Sequence, residues 1–314
     1  MKLSIWNLLK KKKSKEKLLE KEIVEYYRNR ETVYSNSNIK ASVEFLKKHK
    51  NGFHTFDFLK IWLAYNKNDG KYFDFNGAKL PDISNDIGQM KLLLEVYADT
   101  FLFFCLLNDN YDKTLVEQFE PLMMEGPYGY VYSDFDVTIK KNDVVIDAGA
   151  WIGDFSAYAA TKNAIVYAFE PISINYDTLV KTASLNDNKI IPVKKALGDK
   201  NEKMEILIPE NDTMAASSFL LKSGKKETME VITLDGFVEK EKIQKVDFIK
   251  ADIEGAEKYL LIGAKKVLKE FAPKLAICTY HNPEDPKLLE KIILEANPKY
   301  CVIHTNHKLF ATIK

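Results

Sequence analysis

Between residues 144 and 170 the chain runs through an apolar block, a glycine turn, a helical pattern and a second apolar block that ends in an acid. Val144, Val145 and Ile146 carry no polar alternation, which suits a parallel strand covered on both faces. Gly149 and Gly153 bracket the turn after Asp147 and Ala148, where glycine permits positive φ and a close approach to the main chain. Ile165 to Phe169 form the second block, followed by Glu170 and by Pro171, which suits a strand that stops. The pattern predicts a βαβ unit with a ligand over the helix N-terminus and Glu170 accepting from a ribose diol.

The same reading continues to the C-terminus. It predicts a helix over 174–185, strands over 190–193, 204–208, 230–234 and 246–250, and a helix over 256–268. A strand over 275–280, a helix over 286–296 and strands near 300–304 and 309–312 complete it. This alternation predicts an α/β, doubly wound sheet whose last strands are close enough in sequence to pair antiparallel.

The first part of the chain is patterned differently. Helical periodicity dominates 1–31, 39–66, 84–107 and 115–124, and Asn76-Gly77 marks a hairpin between two short runs. Glu125 to Tyr130, rich in glycine and proline, marks the expected boundary between a mainly helical region, 1–124, and the α/β domain, 125–314. The lysines at 10–13 beside an apolar cluster suit an N-terminal helix packed on its own domain with the lysines solvated, the favoured reading; weak contact of residues 1–13 with an anionic membrane surface is the alternative.

Charge narrows the partners. With 46 basic and 45 acidic residues there is no overall field to draw in nucleic acid. Arg28 and Arg30 are the only arginines, so the α/β domain lacks the guanidinium fork that binds phosphate or guanine, and a neutral polyol fits better. Three scattered cysteines indicate neither a disulfide framework nor a zinc site, and no signal-peptide core precedes the lysines, so a cytoplasmic home is expected.

In doubly wound sheets ligands bind beyond the carboxyl ends of the strands. Asp147 and Glu170 stand there, as do Asp252, Glu254 and His281. Asp252 and Glu254 are expected on one side of an extended segment, with Gly255 opening the next helix. With His281 they make a polar group suited to taking a proton from a substrate hydroxyl. No metal is called for, although a variant drawing on Asp252, Glu254 and His304 or His307 stays open. The glycine spacing lacks the GxGxxG of nicotinamide-dependent oxidoreductases, the main rival; a non-catalytic glycan-binding protein is the other.

Five ordered motifs, VVIDAGAWIGDFSAYAA, VYAFEPISINYDTL, VITLDGFV, VDFIKADIEGAEKYLLIGA and YHNPED, resemble the FkbM family of S-adenosylmethionine-dependent methyltransferases. The resemblance implies a Rossmann-like seven-stranded sheet and an O-methyltransferase acting on a hydroxyl of a sugar, glycan or other small molecule. It implies that Asp147, Gly149, Ala150 and Gly153 surround the methionine part of S-adenosyl-L-methionine, with Glu170 and Pro171 at the ribose and Ala196 and Leu197 near the adenine. Asp252 would border both cofactor and acceptor, and Glu254 and His281 would face the acceptor. Trp151 stands where this family usually shows Asn.

Overall fold

The computed structural model describes residues 67–68, 72–75, 77–81, 128–208, 225–282, 284–305 and 308–313. The helices expected over 1–31, 39–66, 84–107 and 115–124, and the basic stretch 1–13, lie outside the described residues.

A seven-stranded sheet carries the fold. Three short hairpin strands come first, β1 (Lys67–Asn68), β2 (Tyr72–Phe75) and β3 (Ala78–Pro81), then a second hairpin, β4 (Tyr130–Tyr132) and β5 (Phe135–Val137). The main sheet begins with β6 (Val144–Ala148), α1 (Asp154–Thr161), β7 (Ile165–Phe169), α2 (Ser173–Leu185) and β8 (Ile190–Val193). A small sheet interrupts it, made of β9 (Ala196–Leu197), β10 (Glu202–Ile208) and β11 (Lys225–Ile232), followed by α3 (Leu234–Lys240). The main sheet resumes with β12 (Phe248–Ala251), α4 (Glu257–Ile262), α5 (Lys265–Glu270), β13 (Lys274–Cys278), α6 (Asp285–Ala296), β14 (Tyr300–His304) and β15 (Lys308–Ile313).

The strand order is β14-β15-β13-β12-β6-β7-β8. The strands from β13 to β8 pair in parallel, and β15 runs antiparallel between β13 and β14, so the expected late antiparallel pairing is present. From β6 the chain builds outward through β7 and β8, then returns to lay β12 on the other side of β6. The strand direction of winding therefore reverses at the β6–β12 seam, where such sheets form a ligand crevice.

Both faces of the sheet are covered, which explains the continuous apolar runs. Val145 and Phe248 face one core with Phe155, Tyr158 and Leu179, whereas Ile146 and Ile249 face another with Leu234, Leu260 and Leu289. The hairpin belongs to the first face: Ala78 and Leu80 are buried there against α1 and α2.

Four local expectations change. The strand read over 230–234 stops at Ile232, and the residues after it start α3, because Thr233 caps that helix by accepting from the Gly236 N–H at 3.1 Å. The helix read over 256–268 is two helices, α4 and α5, broken at Gly263. A Cβ on Gly263 would lie 2.0 Å from the Gly198 carbonyl oxygen, so a distant loop sets that break. The strand read to residue 280 ends at Cys278, and the hairpin of β4 and β5 was not expected at all.

Candidate functional site

The turn after β6 is fixed by backbone geometry. Gly149 and Gly153 adopt φ of 77° and 88°. A Cβ on Gly149 would sit 2.0 Å from the Asp252 carbonyl oxygen, and one on Gly153 would sit 2.7 Å from Leu179, so the glycines admit the chain's own neighbours. The Gly149 and Ala150 N–H groups both donate to the Phe169 carbonyl, at 3.1 and 2.9 Å, which ties the turn to the end of β7.

Glu170 completes that tie. Its two carboxylate oxygens accept from the Trp151 N–H and the Ile172 N–H, each at 2.9 Å, and the side chain is buried. Burial raises its pKa to about 7 against the opposing pull of those two N–H groups. A carboxylate has about four lone-pair sites; the Asn175 side chain takes a third, which leaves one for a further donor. Trp151 reaches the site through its backbone: it takes φ of 49°, and its indole is buried in the core. Pro171 is half-buried between Glu170 and Ile172.

Asp147 is wholly buried and pairs in register with Lys250 across the β6–β12 seam. One of its oxygens accepts from Ser156 Oγ at 2.6 Å and the other lies 3.0 Å from Lys250 Nζ. Lys250 also donates to the Gly149 carbonyl at 2.6 Å. Burial disfavours its charge, but Asp147, Asp252 and Asp154 outweigh burial and raise its pKa. Asp154 itself is pushed up to about 6 by burial, against the pull of Lys250. The sequence reading missed Lys250, although a lysine inside the apolar run Phe248-Ile249-Lys250-Ala251 is a signal, since buried lysines are paired.

Beyond β12 the acids converge on His281 through a turn. Glu254 takes φ of 55° and Gly255 φ of 92°, so the segment is not extended and Gly255 precedes α4 by a residue. This turn, rather than alternation along a strand, aims Asp252 and Glu254 at one point. Nε2 of His281 lies 3.8 Å from Asp252 and 3.5 Å from Glu254, and Nδ1 lies 3.3 Å from Glu257. Burial opposes the imidazolium, yet the Glu254 and Glu257 carboxylates overcome it and raise the His281 pKa to about 10. Burial raises Glu254 in turn.

Asp252 is the best-held acid. Tyr280 Oη donates to one oxygen at 2.9 Å and Tyr128 Oη to the other at 2.7 Å. Burial works to raise its pKa, but Lys250, Tyr128 and His281 together bring it below the usual carboxylate range. Tyr128 and Tyr280 went unremarked in the sequence as site residues because no local pattern links them to Asp252.

The structure brings together Asp147, Gly149, Ala150, Gly153 and Glu170, and through the Gly149–Asp252 contact it joins them to the His281 cluster. Ala196 and Leu197 approach from beyond β8: they pair with Val231 and Ile232, and the Glu170 N–H donates to the nearby Val193 carbonyl at 3.1 Å. Of the alternative metal set, His304 on β14 is engaged by Glu290 at 2.8 Å, and His307 lies outside the described residues. The group that gathers among the described residues is Asp252, Glu254 and His281. No helix among the described residues is long and apolar enough to cross a membrane.

Comparison with known proteins gives this geometry a context. Residues 147–300 match the model of the methyltransferase FkbM domain. Hexuronic acid methyltransferase AglP of Haloferax volcanii is 27% identical over 157 residues, covering 50% of this chain and 64% of that protein. The chain thus spans less than two thirds of that relative. Methyltransferase sdnD of Sordaria araneosa is 24% identical, covering 52% of this chain and 79% of that one. Among solved structures, methyltransferase FkbM from Methylobacillus flagellatus KT aligns with a TM-score of 0.45 and 22% identity, over 72% of this chain and 55% of that one.

Proposed function

We propose that this chain, whose residues 147–300 match the model of the methyltransferase FkbM domain, is an S-adenosylmethionine-dependent O-methyltransferase acting on a hydroxyl of a sugar, glycan or related polyol. The observation that carries this reading is the adjacency of two chemically different groups of polar residues. Glu170 and the Gly149–Gly153 turn suit a ribose and its attached groups, and one peptide away Asp252, Glu254 and His281 suit a hydroxyl. The Haloferax relative, described as acting on hexuronic acid, supports a carbohydrate acceptor.

S-adenosylmethionine, when bound, supplies a methyl group already activated on a sulfonium. The chain's residues then have three tasks. Glu170 accepts from a ribose hydroxyl. Asp252, kept ionised by Lys250 and oriented by two tyrosines, accepts from the acceptor hydroxyl and aims its oxygen. His281 removes the proton in its neutral form, a contribution of about 10²–10⁴-fold for a positioned base.

An imidazole with a pKa near 10 is mostly protonated at neutral pH, so in buffer free of divalent cations turnover is expected to rise with pH above 7. His281→Ala should lower turnover by about 10²–10⁴-fold with S-adenosylmethionine affinity nearly unchanged. Thermal shift tests the cofactor first: S-adenosylmethionine and S-adenosylhomocysteine should raise the melting temperature and NAD should not. Transfer of a labelled methyl group to a sugar-containing product then tests the reaction, and labelled products that all lack a sugar or polyol would overturn the acceptor class.

A further inference from the structure

We propose that Asp252, Glu254 and His281 form a binding site for a divalent cation of the Mg²⁺ and Mn²⁺ class. The proposal deepens the acceptor assignment above, on which it rests for the ion's role but not for its binding. With the ion bound, Nε2 of His281 gives up its proton to become a ligand, and the ion replaces the base role that His281 has without it.

The donor atoms are close enough to converge on one ion after a small inward shift of the side chains. Carboxylate oxygens and an imidazole nitrogen at about 2.1 Å from a shared octahedral centre stand roughly 3 Å apart at neighbouring positions and roughly 4 Å apart at opposite ones. Nε2 of His281 lies 3.5 Å from Glu254 and 3.8 Å from Asp252, and the three donors fall within 4.8 Å of one another.

A second observation points the same way. The His281 side chain is only 4% exposed, yet neither ring nitrogen makes a hydrogen bond of normal geometry. Its Nε2 faces Asp252 and Glu254, while Nδ1 faces Glu257, which is fully buried. A carboxylate behind a histidine is the arrangement that fixes the proton on the rear nitrogen and presents the front one to a metal. Glu257 is itself anchored by accepting from the Ile253 N–H at 2.9 Å. Asp252 is likewise oriented by Tyr128 and Tyr280.

The chemistry selects the ion. Two carboxylates favour oxygen-preferring cations, and one imidazole places Mn²⁺ ahead of Mg²⁺ and Ca²⁺. An ion held here would polarise an acceptor hydroxyl and make its proton more acidic. The methyl carbon then exchanges its bond to sulfur for one to the acceptor oxygen, and the hydroxyl proton passes to water.

The test uses the full chain, stripped with chelator and desalted, then titrated with MnCl₂ while free Mn²⁺ is followed by electron paramagnetic resonance. Saturable binding of one Mn²⁺ per chain is expected, weakened by about tenfold or more in Asp252→Asn and Glu254→Gln and by about 10–100-fold in Glu257→Gln. Melting curves confirm that each near-isosteric variant folds, and the wild-type titration stands without them. Absence of saturable binding by the wild type, or equal binding by wild type and Glu254→Gln, overturns the site. The two readings fail separately. Stabilisation of the stripped chain by S-adenosylmethionine without Mn²⁺ binding removes the cation site and leaves the methyltransferase reading in place. Mn²⁺ binding without any response to S-adenosylmethionine supports the cation site and removes the cofactor assignment.

Discussion

At the scale of single residues, Glu170 offers the sharpest handle on cofactor binding, because its pKa of about 7 falls inside the accessible pH range. Its folded-state value is raised by burial, so the fold holds the proton more tightly than the unfolded chain does. The stability this contributes is complete below the unfolded value of about 4.3 and is lost as pH rises through about 7. Ligand binding runs the other way. Only the ionised carboxylate, already accepting from two N–H groups and the Asn175 side chain, has a lone pair left for a hydroxyl donor. S-adenosylmethionine should therefore bind roughly tenfold tighter at pH 8 than at pH 6, the difference in ionised fraction for a group centred near 7. Calorimetric titration at three pH values measures this, and Glu170→Gln should both weaken binding and flatten the dependence. A wild-type affinity that is constant across that range would detach Glu170 from the ribose.

At the scale of elements, the turns rather than the strands determine the site. Gly77 and Gly149 both have positive φ, 90° and 77°, but their surroundings differ. A Cβ on Gly77 meets only a Thr161 methyl at 3.8 Å, so Gly77→Ala should cost about 1–2 kcal/mol of backbone strain alone. Gly149→Ala adds an overlap with the Asp252 carbonyl that neither backbone can relieve cheaply, so it should cost more and should also lower turnover by moving Asp252. Denaturant midpoints and activity of the two variants check the contrast. The same distinction explains what the sequence made legible. β6 and β7 were readable because both faces of the sheet are buried and the apolar runs are unbroken. Glu170, Asp252, Glu254 and His281 were readable as polar residues that closely follow those runs. Their convergence was not, because it depends on left-handed residues at Glu254 and Gly255 and on Lys250 meeting Asp147 across the β6–β12 seam. The break between α4 and α5 was hidden for the same reason, since Gly198 sets it from another part of the chain.

At the scale of the whole molecule, the hairpin β2–β3 is bound into the α/β sheet although it precedes residue 125. Leu80 and Ala78 are buried in the same core as Phe155 and Leu179. Asn186, at the end of α2 and itself buried, accepts from the Lys79 N–H at 3.0 Å and donates to the Lys79 carbonyl at 2.7 Å. A fragment beginning at residue 125 loses the burial of Leu80, about 1.5–3 kcal/mol, and strands the Asn186 amide with part of its hydrogen bonding unmet, about 1–3 kcal/mol. Against a typical total of about 5–15 kcal/mol, this loss leaves the fragment marginal. The fragment 125–314 should therefore unfold at a clearly lower denaturant concentration than the fragment 67–314, which keeps the hairpin. Asn186→Ala in the longer fragment should fall between them, because it removes the hydrogen bonds and leaves Leu80 in place. Equal midpoints for the two fragments would mean that α1 and α2 close over the vacated surface without the hairpin.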